Sequence, residues 1–191
     1  MEYKIVVIGA SLGGLNALDV ILPGLPKNLP VAVAIAQHRH KSSDGELVSY
    51  LQENSLLPII EAEDKQPIIP GVVFLAPADY HLLVEPGYFA LSTDAPVTYA
   101  RPSIDVLFES AADVYGPQVI GIILTGASND GAKGLAKIQA YGGTIIVQKP
   151  ETSECPIMPE AAIKAAKLPQ VLPLDEIASF LTSQIKIQVL S

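Results

Sequence analysis

Apolar stretches of five or six residues recur along this chain, each followed by a segment whose apolar positions return every three or four residues. Residues 3–8, 31–36, 119–124 and 144–148 are rich in Val and Ile and almost free of charge. Runs of that length and β-branched content predict strands buried on both faces. Shorter strands are expected at 58–61, 72–76 and 171–174. Helical spacing marks residues 15–22, 44–53 and 131–141, a helix opening at Pro159, and a C-terminal helix that Asp175 could cap. Ser103, just after Pro102, is placed to cap a further helix running to about Tyr115. Residues 81–85 and 88–92 flank Pro86-Gly87 and read as an antiparallel β-hairpin. Buried strands alternating with helices imply an α/β fold, a single doubly wound, mostly parallel sheet flanked by helices, with the hairpin attached.

Composition narrows the class. The 191 residues suit one ordinary domain, without repeats, low-complexity tracts or linkers. A formal net charge of −8 argues against nucleic acid held on a broad basic surface. No apolar run approaches the roughly 20 residues that span a bilayer, and the start lacks a signal-peptide pattern. The single cysteine, Cys155, can form no internal disulfide. A cytoplasmic location without membrane insertion is expected.

Three strand ends carry residues suited to hydrolysis. Gly9-Ala10-Ser11-Leu12-Gly13 fits the G-x-S-x-G pattern between a strand and a helix, where a serine can be a nucleophile or simply a helix cap. The dinucleotide-binding alternative wants a glycine at position 11 and an acidic end to the second strand, which instead closes on Gln37-His38. A Walker A sequence is absent. His38, directly after the second strand, is better placed than His40 to take a proton from Ser11. A metal site built on both histidines has no supporting cysteine or acidic pair. Asp130, in Asn129-Asp130-Gly131, is either an N-cap or the carboxylate that orients the histidine. In a parallel sheet the carboxyl ends of the strands share one edge, so these three positions can meet.

Together these segments resemble the catalytic domain of the chemotaxis protein-glutamate methylesterase family, CheB, over nearly the whole chain. The resemblance rests on Ile8-Gly9-Ala10-Ser11 with Gly13-Gly14, Gln37-His38, the stretch from Arg101-Pro102-Ser103-Ile104-Asp105 to Phe108, Gly121 to Gly126, Asn129-Asp130-Gly131-Ala132 and Met158-Pro159. It implies hydrolysis of glutamate γ-methyl esters on the cytoplasmic helices of methylated chemoreceptors, with receptor glutamine deamidation as a second activity. It also implies Ser11 as nucleophile, His38 as general base and Asp130 as its orienting carboxylate, with no metal or organic cofactor. Oxyanion donors would be the backbone N–H groups of Leu12 and Ala127, where the family usually has threonine and methionine. Arg101 and Met158 are candidates for the substrate rim, although Arg101 could equally anchor its own loop and Met158 fill a buried corner. The expected organisation is one methylesterase domain over residues 1–191 without a receiver domain, so that a separate response-regulator or receiver protein is a conceivable partner. A catalytically silent module that only binds receptors or a signalling partner is the competing expectation.

Overall fold

The apolar runs pair side by side. The computed structural model describes residues 3–41 and 46–187. Its strands are β1 (Ile5–Ala10), β2 (Ala32–Gln37), β3 (Ile59–Glu61), β4 (Gln66–Pro67), β5 (Val73–Leu75), β6 (His81–Glu85), β7 (Tyr88–Ser92), β8 (Val119–Ile123), β9 (Thr144–Gln148) and β10 (Gln170–Leu172). The helices are α1 (Gly14–Ile21), α2 (Glu46–Gln52), α3 (Ile104–Tyr115), α4 (Ala132–Ala140), α5 (Ile157–Ala165) and α6 (Leu174–Ile187). Seven strands form one sheet in the order β10-β9-β8-β1-β2-β5-β3, and every pairing in it is parallel.

Every residue of β1 and β2 is buried, because helices cover both faces. Alternation along the strands divides their side chains. Val6, Ile8, Val33, Ile35, Ile120 and Ile122 face Leu18 and Ile21 of α1 and Ile177 and Leu181 of α6. Ile5, Val7, Ala34 and Phe74 face Leu107 and Phe108 of α3, Leu135 and Ile138 of α4, and Ala162 of α5. The hairpin runs over β6 and β7 as the sequence suggests, but it stands apart from the main sheet. It joins β4 in a second, antiparallel sheet of three strands, and Leu82, Val84 and Phe89 bury its inner face in the same core as α3.

Apart from β4, the differences from expectation lie at element ends. α5 opens two residues before Pro159, which sits in the first turn, where a proline's missing N–H has no helical partner to lose. Asp175 lies inside the first turn of α6 rather than before it. Asp44, at the expected start of α2, is outside the described residues. β4 is too short to leave a periodic signal.

The chain builds outward from β1 to β2 and beyond, then returns through α3 to β8 on the other side of β1. The winding therefore reverses between β1 and β8, which is where parallel α/β sheets open a ligand crevice.

Candidate functional site: a serine, a histidine and a buried carboxylate

Ser11 is the first residue past β1 and lies at that reversal. Its N–H donates to the Thr125 carbonyl beyond β8 at 3.0 Å. Helix α1 is capped by Gly13, whose φ of 78° lies in the left-handed region, and no side chain bonds its N-terminus. The serine hydroxyl is thus not spent on capping.

His38 is placed by strand register. Ala10 pairs with Gln37, and the His38 N–H donates to the Ala10 carbonyl at 2.9 Å, which sets the histidine beside the serine turn. The following residue, Arg39, fastens this segment to Glu61 (2.8 Å) and to the Ala76 carbonyl (2.9 Å). The imidazole Nε2 lies 2.7 Å from Asp130 Oδ2, so Nδ1 is the nitrogen free to face Ser11. No hydrogen bond joins Ser11 Oγ to the ring in this structure; such contacts commonly tighten only when substrate binds. His40 is exposed and lines the cleft beside His38.

Asp130 is completely buried and accepts four hydrogen bonds. Besides His38, these come from Ser103 Oγ (2.8 Å) and from the N–H groups of Ile104 (2.7 Å) and Asp105 (3.0 Å). The aspartate does cap a helix, but not its own. α4 is capped by Gly131, while Asp130 reaches across to the unpaired N–H groups at the start of α3. Burial pushes its pKa up, but the bonds from His38, Ile104 and Asp105 outweigh burial and hold it below the ordinary aspartate value.

A further layer holds Asp130 in turn, and the sequence gives it little signal. His81, buried and without an evident role in the sequence, accepts the Ser103 N–H at Nδ1 (3.2 Å), so its Nε2 carries the proton and donates to the Ala95 carbonyl (3.1 Å). Ser103 is legible as a cap, yet its second contact, to Asp130, comes from an element 27 residues away. Gln148 accepts the Thr125 N–H through Oε1, and Thr125 Oγ1 contacts the Leu12 carbonyl and accepts the Cys155 N–H. These bonds join the loops after β1, β8 and β9.

The remaining candidates divide. Leu12 is 55% exposed beside the serine. The Leu12 and Ala127 N–H groups make no hydrogen bond to any described residue. Ala127 follows Gly126, whose carbonyl accepts the Met158 N–H at 2.9 Å. Met158 is only 1% exposed and packs on Gly126, so it supports the loop from beneath rather than forming the rim. Arg101 lines the cleft, but its guanidinium is bonded to Asp79 (2.6 Å) and to the carbonyls of Thr93 and Asp94. The cleft itself, about 510 Å³, opens beside His38 between Arg39, Lys41, Tyr99 and Arg101.

A parallel α/β sheet that presents serine, histidine and a buried carboxylate at neighbouring strand ends has the layout of a serine hydrolase. Residues 6–181 match the model of the CheB methylesterase family, and the chain belongs to that family. It is 47% identical over 179 residues to a protein of Leptospira interrogans named putative protein-glutamate methylesterase/protein-glutamine glutaminase, covering 93% of each chain. A Thermotoga maritima protein-glutamate methylesterase/protein-glutamine glutaminase is 38% identical over 174 residues, which are 89% of this chain and 51% of that one. The crystal structure of the Thermotoga maritima CheB methylesterase catalytic domain superposes with a TM-score of 0.91 at 37% identity, covering 96% of this chain and all of that domain. The chain thus spans nearly the whole Leptospira relative and about half of the full-length Thermotoga one.

Proposed function

We propose that the protein is a serine hydrolase that removes methyl esters from glutamate side chains of chemoreceptors in the cytoplasm, releasing methanol. The observation that carries this is the 2.7 Å bond between His38 and a fully buried, anionic Asp130, set beside a serine that caps nothing.

The steps follow from the side chains. His38 takes the Ser11 proton as Oγ attacks the ester carbonyl, and Asp130 stabilises the imidazolium without itself accepting the proton. The Leu12 and Ala127 N–H groups receive the oxyanion. His38 then protonates the departing methoxide, giving methanol and an acyl-enzyme. Water, deprotonated by His38, hydrolyses that ester and restores Ser11. A primary amide enters the same route with ammonia as leaving group, so glutamine deamidation fits the same residues. No step calls for a metal or an organic cofactor. The substrate is a side chain of a protein partner, which suits an open cleft.

The deciding experiment measures methanol release from methylated receptor fragments by wild type, Ser11→Ala and His38→Ala, with labelling of Ser11 by a serine-directed phosphonate alongside. Release that falls by at least about 10³-fold in both variants is the expected result. Neither release nor labelling in the wild type would leave a receptor-binding module in place of an enzyme.

A further inference from the structure

Gln37 is the one polar residue closing β2, and it is 7% exposed at the end of an otherwise apolar strand. Its Nε2 donates two hydrogen bonds, to the Ser11 carbonyl (2.9 Å) and to the His38 carbonyl (3.0 Å). The Ser11 carbonyl also accepts the Gly14 N–H at 2.8 Å. Two donors from separate elements therefore fix one carbonyl, and with it the whole Ser11–Leu12 peptide plane. In a trans peptide the N–H points away from the C=O. Fixing the Ser11 oxygen thus fixes the direction of the Leu12 N–H, which no other described residue uses.

The other end of the amide shows what it is kept for. Gln37 Oε1 is buried and has no hydrogen-bond partner among the described residues. Reversing the amide would press that oxygen against two carbonyl oxygens, so one orientation alone is tolerable. Gly14 makes the room, since a Cβ there would lie 2.2 Å from Oε1. A space-filling role would suit a methionine of similar length and would leave no acceptor stranded.

We infer that Gln37 is a positioning residue, whose amide orients the Leu12 N–H toward the oxyanion and ties the serine turn to the histidine segment. This rests on the esterase reading above. The donor is needed most when negative charge develops on the carbonyl oxygen, so its misdirection costs turnover rather than substrate binding.

The test compares wild type, Gln37→Met, Gln37→Glu and Gly14→Ala in steady-state methanol release, phosphonate labelling of Ser11 and the pH profile of kcat/KM. Expected for Gln37→Met is a kcat lower by about 10- to 100-fold, with KM within about threefold and labelling slowed in parallel. The histidine inflection should stay in place, because Gln37 does not touch the ring. Gln37→Glu should lose at least as much, since a carboxylate repels both carbonyls. Gly14→Ala, whose Cβ would crowd the amide and also Ala10 at the start of the serine turn, should lower kcat as well. If Gln37→Met does not fold, these two variants decide.

A kcat retained within threefold, a loss confined to KM, or an inflection moved by a whole pH unit would overturn the positioning role while leaving the esterase intact. Wild type that neither turns over nor labels would overturn the esterase reading, and the inference with it.

Discussion

Asp130 and Asp105 are near neighbours, both pushed up by burial, yet their pKa values move in opposite directions. Asp130 has four donors around it and is held below the ordinary aspartate value. Asp105 is pushed up to about 6, chiefly by burial and further by the negative charge of Asp130, against the lowering effect of the Gly134 N–H at 2.7 Å. The signs differ accordingly. Asp130 contributes stability in full above the unfolded value near 4, and loses it as pH falls through its lower folded pKa. Asp105 costs nothing below about pH 4; the cost grows as the unfolded chain ionises first, and is complete above about 6. Asp105→Asn keeps an acceptor for Gly134 and should stabilise the protein by roughly 2 kcal/mol at pH 8 and hardly at all at pH 4. Urea unfolding at both pH values checks this. Asp130→Asn presents an N–H₂ where the α3 N–H groups and His38 all require acceptors. It should lower kcat by about 10²- to 10⁴-fold and stability by roughly 2–4 kcal/mol, read from methanol release and thermal melting.

Elements meet at this site through backbone approach as much as through side chains. The loop after β8 comes so close to the loop after β1 that a Cβ on Gly126 would lie 2.7 Å from Ser11 Cβ and 2.4 Å from Met158 Sδ. Gly126→Ala must move either the serine or the Met158 corner. Overpacking of this kind costs roughly 1–3 kcal/mol, and displacement of Ser11 should remove at least tenfold of kcat. A crystal structure of the variant with Ser11 unmoved and activity intact would refute this. Helix α3 matters in the same way. Its free N-terminal N–H groups bind the carboxylate of another element, so the start of a helix becomes part of the proposed catalytic apparatus.

For the molecule as a whole, the parallel sheet is both the core and the frame that sets the proposed catalytic groups. Ile122 lies in β8 between Ile8 and Ile146 and is completely buried. Ile122→Ala should cost about 2–5 kcal/mol, measurable by chemical denaturation. Because the cavity opens one strand from Ser11, kcat at low temperature should change far less than the melting temperature. The strands other than β4, most helices and the hairpin were legible from the chain, since burial on one or two faces writes a period of two or a continuous apolar run into the sequence. Ser11, His38 and Asp130 were legible as residue types at strand ends. Met158 as rim and Ser11 as a possible cap were not resolved there, because both depend on which element lies opposite. His81, Ser103 and Gln37 acquire their distant partners, 22 to 27 residues away, only when β1, β2, β6, α3 and the loop after β8 converge. The sequence by itself determined the alternation of buried strands and helices and the chemistry available at their ends, because those are local consequences of side-chain type. Tertiary structure alone decided which helix Asp130 caps, which imidazole nitrogen it holds and where the Leu12 N–H points, because hydrogen-bond direction is set by partners that the chain brings from elsewhere.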